Sequence, residues 1–104
     1  MTDIVSVYAT FATAAEAERI AGTVVDERLA ACANILGPCR SIYRWEGKVE
    51  QADEVAALFK ARADKAEALL GRIDMLHSYA IPCAVVWPIS AALPAYAEWV
   101  KAEG

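Results

Sequence analysis

The chain has 104 residues, 58% of them hydrophobic, with three Trp, four Tyr and a formal charge of −4 at pH 7. That length gives room for one domain, 1–104, with one core, and a lone subunit of this size leaves much apolar surface uncovered. The acidic balance, with a pI near 4.9 and basic residues interleaved with acids, excludes nucleic acid and membranes as expected partners.

Met1-Thr2-Asp3-Ile4 has no basic region leading into a signal-type hydrophobic stretch, so the expected location is the cytoplasm, where Cys32, Cys39 and Cys83 stay reduced. Ile4 to Thr10 is rich in strand formers and predicts a strand. Thr13-Ala14-Ala15-Glu16 follows as a capping box, and Ala17, Ile20, Ala21, Val24, Val25 and Leu29 recur at helical spacing behind it. Cys32 to Leu36 predicts a short strand, stopped or bent by Gly37-Pro38.

Ser41 to Val49 resumes with β-favouring residues, and Val55 to Ala61 predicts a further strand, so that the two form a long hairpin. Its turn could fall at Glu46-Gly47 or at Gln51-Ala52-Asp53; the second is expected, because it equalises the strands and leaves Gly47 as a backbone adjustment inside one of them. Asp64 is expected to cap a second helix with Ala66, Leu69, Leu70 and Ile73 on its apolar stripe. Cys83 to Trp87 predicts a last strand, and Pro94 suits the first turn of a terminal helix carrying Tyr96, Trp99 and Val100. The order is that of a split-βαβ, ferredoxin-like α+β fold: an antiparallel sheet with helices on one face, plus a C-terminal helix. Its open sheet face and protruding hairpin predict self-association.

Chemistry is sparse. The strand Glu54–Lys60 lacks the aromatic pattern of an RNA-recognition module, and the loop after the first strand has neither a Cys-x-x-Cys pair nor a glycine-rich phosphate cradle. His77 is the only histidine, and nothing in the spacing sets it beside a cysteine, so no catalytic residue is assigned and the chain is expected not to be an enzyme. Cys32, Cys39, Cys83 and His77 are chemically suited to copper or zinc, but the Cys32–Cys39 spacing matches no standard zinc site.

Four stretches carry a resemblance: Glu27–Ile35, Ser41–Val49 with its Tyr43-Arg44-Trp45-Glu46-Gly47-Lys48 block, Leu76–Pro82, and Pro94–Val100. Together they resemble the CutA divalent-cation tolerance family over nearly the whole chain. The resemblance implies a ferredoxin-like subunit in a tight homotrimer, an architecture similar to the PII signalling proteins, and a link to tolerance of copper and other divalent cations. No reaction is attached to it. It implies Cu(II) or another divalent cation as a weakly held ligand rather than a certain cofactor, with His77 and Cys32 as metal residues. It also implies an interface pocket of Trp45, Glu46, Lys60 and Tyr79. Copper-linked members end the first strand with cysteine where this chain has Ala9, and carry a histidine where it has Leu76. The alternative is a PII-like module that binds a small polar or anionic ligand, or a partner protein, without a dedicated metal site.

Overall fold

Eight residues from Ile4 to Phe11 form β1, and their burial sets the frame for everything packed around them. The computed structural model describes residues 2–104. In chain order β1 is followed by α1 (Ala14–Asp26), β2 (Cys32–Trp45), β3 (Lys48–Arg62), α2 (Ala66–Leu76), β4 (Ala84–Pro88) and α3 (Pro94–Glu103). The strands form one antiparallel sheet in the order β2-β3-β1-β4. This is the expected ferredoxin-like arrangement.

Alternation along β1 divides the sheet into two faces. Val5, Val7, Ala9 and Phe11 share one core with Ala57, Phe59 and Ala61 of β3 and with the apolar stripes of α1 and α2, including Ile20, Val24, Leu69 and Ile73. Each large side chain sealed there contributes about 2 kcal/mol. The intervening residues Ile4, Ser6, Tyr8 and Thr10 belong to the other face. Helix α3 lies on that side, where its Val100 packs with Ile4 and Ala31. Arg62 Nη1 also donates to the Lys101 carbonyl, at 3.4 Å. The C-terminal helix therefore covers one end of the face that α1 and α2 leave open.

The α1 cap forms as the sequence predicts, with Glu16 N–H donating to Thr13 Oγ1 at 3.1 Å. The carboxyl of Glu16 reaches further than a capping box requires: Oε1 accepts from Ala12 N–H and Oε2 from Ser78 N–H. Asp64, by contrast, caps nothing. It forms a bidentate pair with Arg62, both contacts 2.9 Å, and α2 begins only after a short 3-10 turn at Ala63–Lys65. Arg62 competes for the same carboxylate oxygens, and a charge-assisted fork is the stronger contact.

The hairpin turn is also displaced from its expected place. Trp45 pairs with Lys48, so Glu46-Gly47 is the whole loop, while Gln51, Ala52 and Asp53 lie inside β3 opposite Ile42, Ser41 and Arg40. Both loop residues have positive φ, 50° at Glu46 and 81° at Gly47. A two-residue loop needs this to match the right-handed twist of its strands. Gly47 adopts it freely, and Glu46 does so at a cost of about 1 kcal/mol. The in-strand irregularity falls at Gly37 instead, where φ is 104° and the β2–β3 register slips between Ile35 and Gly37. Gly37-Pro38 thus bends β2 without ending it. Residues 48–54 of β3 pair only with β2, because β1 ends at Phe11, opposite Val55. The free end of the hairpin stretches the subunit to 44 × 25 × 22 Å.

Candidate functional site

The segment between α2 and β4 is tied down at its start by His77. This residue ends α2, its N–H donating to the Ile73 carbonyl at 2.9 Å. The residue is 9% exposed, and its ring stacks on Phe11 with centroids 5.0 Å apart. Tyr79 N–H donates to Nδ1 at 3.1 Å, which makes that nitrogen the acceptor and leaves the proton on Nε2. Nε2 then donates to the Thr10 carbonyl at 2.8 Å. Both ring nitrogens are spent on the backbone, so the imidazole holds Tyr79 against the end of β1.

Cys32, the second metal residue implied by the resemblance, is elsewhere. It opens β2 opposite Lys60, which in turn faces Ser6, four residues along β1 from Thr10. At roughly 3.3 Å per residue, about 13 Å of strand separates the two levels. Its Sγ lies 3.4 Å from Tyr96 Oη of α3, and the Tyr96 phenol is pushed up to about 12 by burial and then by this thiol. Among the described residues, no three His, Cys, Asp or Glu side chains are grouped to hold a metal ion.

A cavity of about 550 Å³ opens on the far side of the sheet from α1 and α2. Tyr8 and Thr10 of β1, Ser41, Tyr43 and Trp45 of β2, Glu54 of β3, and Tyr79, Ala80, Ile81 and Cys83 of the α2–β4 segment surround it. Strand period explains the set, since residues two apart share a face. Among the described residues Glu54 is the only charged side chain lining it. Ser41 Oγ donates to Oε1 at 2.5 Å and Tyr79 Oη to Oε2 at 3.0 Å. Burial and then the Glu54 hydrogen bond push the Tyr79 phenol up to about 12. The Tyr8 phenol is raised too, by burial first and then by Cys39, Cys83 and Glu54.

Of the four pocket residues that the resemblance implies, Trp45 and Tyr79 line this cavity. Glu46 sits in the hairpin loop, and Lys60 donates to Asn34 Oδ1 near Cys32, at the other end of the sheet. Sequence reading missed Glu54, Tyr8, Ser41 and Tyr43. The Ser41-x-Tyr43-x-Trp45 alternation was available as a signal for two of them. Glu54 was not, because its neighbours depend on the hairpin register.

The family model described as CutA1 divalent ion tolerance protein matches residues 5–103. The chain belongs to this family. A CutA1-family relative, the divalent-cation tolerance protein CutA of Archaeoglobus fulgidus, is 38% identical over 94 residues, covering 90% of this chain and 91% of its own. The crystal structure of CutA from Xylella fastidiosa superposes with a TM-score of 0.95 at 36% identity, covering 98% of both chains. A structure of the Archaeoglobus protein, described as periplasmic, gives 0.93 at 36% identity, with 96% and 97% covered. Among the described residues no helix is long and apolar enough to cross a membrane.

Glu16 fixes the site from behind, because its carboxylate joins the segment before α1 to Ser78, between His77 and Tyr79. Burial pushes its pKa up, but hydrogen bonds from Ser78 and Ala12 and the nearby His77 outweigh this and hold it below the ordinary 4.5. Its stabilisation is therefore complete above that ordinary value and is lost as pH falls through the folded pKa. Glu16→Gln, which can accept only one of the two N–H bonds, is expected to cost about 1–2 kcal/mol at neutral pH. It also flattens the acid limb of stability, as read by denaturant unfolding across pH; an unchanged limb refutes this role.

Proposed function

We propose that this CutA1-family chain acts in divalent-cation tolerance as a homotrimer that binds Cu(II) or a similar cation weakly and carries out no reaction. The observation that carries the assembly is apolar surface. Ile42 and Val49 of the hairpin are 67% and 63% exposed, and Trp87 of edge strand β4 is 49% exposed. A neighbouring subunit that pairs with these edges covers what a lone subunit bares. Light scattering is expected to give the trimer mass; a monomer at working concentration overturns the assembly.

Weak cation binding follows from what the ligands already do. His77 reaches a metal only by releasing the Tyr79 N–H or the Thr10 carbonyl, and each buried group left unpaired costs about 1–3 kcal/mol. Each 1.4 kcal/mol is about tenfold in affinity. Calorimetry with Cu(II) is expected to show a shallow saturable isotherm that His77→Ala and Cys32→Ala each weaken. Identical isotherms in both variants remove those ligands from the reading.

The cytoplasm is the proposed location, supported by three free cysteines, Cys83 among them exposed. Release of the native protein by osmotic shock contradicts it. A second reading, a PII-like small-molecule module, is favoured by the aromatic cavity around Glu54.

A further inference from the structure

We propose that the cavity at the base of the hairpin binds a small organic monocation, an alkylammonium or guanidinium compound. In this reading the carboxylate of Glu54 faces the cation and the rings of Tyr43, Trp45, Tyr8 and Tyr79 surround it. The inference rests on the reading of the chain as a small-molecule module, and names the chemistry of its ligand.

Three observations converge on this class. The first is charge. Among the described residues Glu54 takes part in no ion pair, and its two hydrogen-bond partners are neutral hydroxyls. The alternation that turns Ser41, Tyr43 and Trp45 toward the cavity turns Arg40 and Arg44 away from it. Arg40 meets Gln51 and Asp53, and Arg44 meets the Gly47 carbonyl. Lys48, opposite Trp45 at the hairpin end, and Lys60, beside Asn34, do not line the cavity. Among the described residues a carboxylate is left as the only formal charge that one subunit brings to this mostly aromatic enclosure.

The second is size. About 550 Å³ lies within the roughly 300–1,000 Å³ of small-molecule sites and far exceeds a bare ion. No three-donor group is present among the described residues to hold a metal. The third is the π surface. Four aromatic residues line the cavity, and a cation near such rings gains about 0.5–2 kcal/mol. Two of these rings are already fixed: Tyr8 stacks on Trp87 at 5.2 Å, and Tyr79 leans on His77 at 4.8 Å. Burial raises the pKa of both phenols, and the Glu54 carboxylate adds to that rise. An anionic ligand would meet Glu54 with no cation beside it.

Calorimetry on the whole protein in its native oligomeric state tests this with choline, with the uncharged dimethylbutanol of the same shape, and with succinate. Choline is expected to bind saturably, and the neutral isostere about tenfold more weakly. Glu54→Gln is expected to weaken choline about tenfold while leaving the isostere unchanged. Trp45→Leu, at a partly exposed ring, keeps the test open if the Glu54 variant fails to fold; it is expected to weaken choline severalfold. Equal binding of choline and the isostere, choline binding unchanged in both folded variants, or binding of succinate alone overturns the monocation assignment while the module reading stands. No binding by any of the three probes overturns both.

Discussion

Trp45 and Lys48 close the hairpin across Glu46 and Gly47, and that two-residue turn sets the register on which the far side of the molecule depends. Cys39 is thereby set opposite Glu54, with Ser41 two residues along the same face and close enough to hold the carboxylate. A slip of one residue would send Ser41, Tyr43 and Trp45 to the other face and bring Arg40 and Arg44 into their place. The cavity and its charge both follow from the backbone twist that two positive φ values provide. In this fold a strained loop beside Trp45, at the edge of the cavity, determines what the cavity contains.

The opposite wall depends on a second constraint. Helix α2 ends at Leu76, and the next three residues are pinned at different atoms: the His77 ring by Thr10, the Ser78 N–H by Glu16, and the Tyr79 N–H by His77. Phe11 stacks behind the imidazole. The one histidine of the chain thus works as a strut between β1 and the α2–β4 segment. Its tautomer is determined by that work, and Tyr79 reaches Glu54 because of it. Chemistry that the residue type advertises has been exchanged for positional order.

The two faces of the sheet are unequal in cover. α1 and α2 seal one face with fully buried side chains such as Ile20, Leu69 and Ile73, whereas α3 reaches only the end around Ile4 and Ala31. Beyond it, aromatic rings and hairpin side chains remain in contact with water. At about 25 cal/mol per Å² of apolar surface, covering even part of that face is a sizeable free energy. Assembly and ligand binding would draw on the same surface, which couples the two readings of this protein physically.

Much of the architecture was legible because its signals are local. Runs of strand-forming and apolar residues marked β1 and β4, the Thr13 cap and a 3.6-residue stripe marked α1, and Pro94 suited the first turn of α3. The hairpin turn was not legible: residues 42–51 are exposed on both faces, so no buried stripe reports their register. Asp64 reads as a cap, but Arg62, two residues before it, takes both oxygens of its carboxylate. The sequence by itself therefore determined which elements exist, their order, and the family. Tertiary structure alone decided where the hairpin turns, that His77 spends both nitrogens on backbone, and that Glu54 rather than Glu46 or Lys60 charges the cavity. The reason is physical: secondary structure follows from neighbours along the chain, whereas a lone pair or a carboxylate takes its role from groups the fold brings to it from tens of residues away.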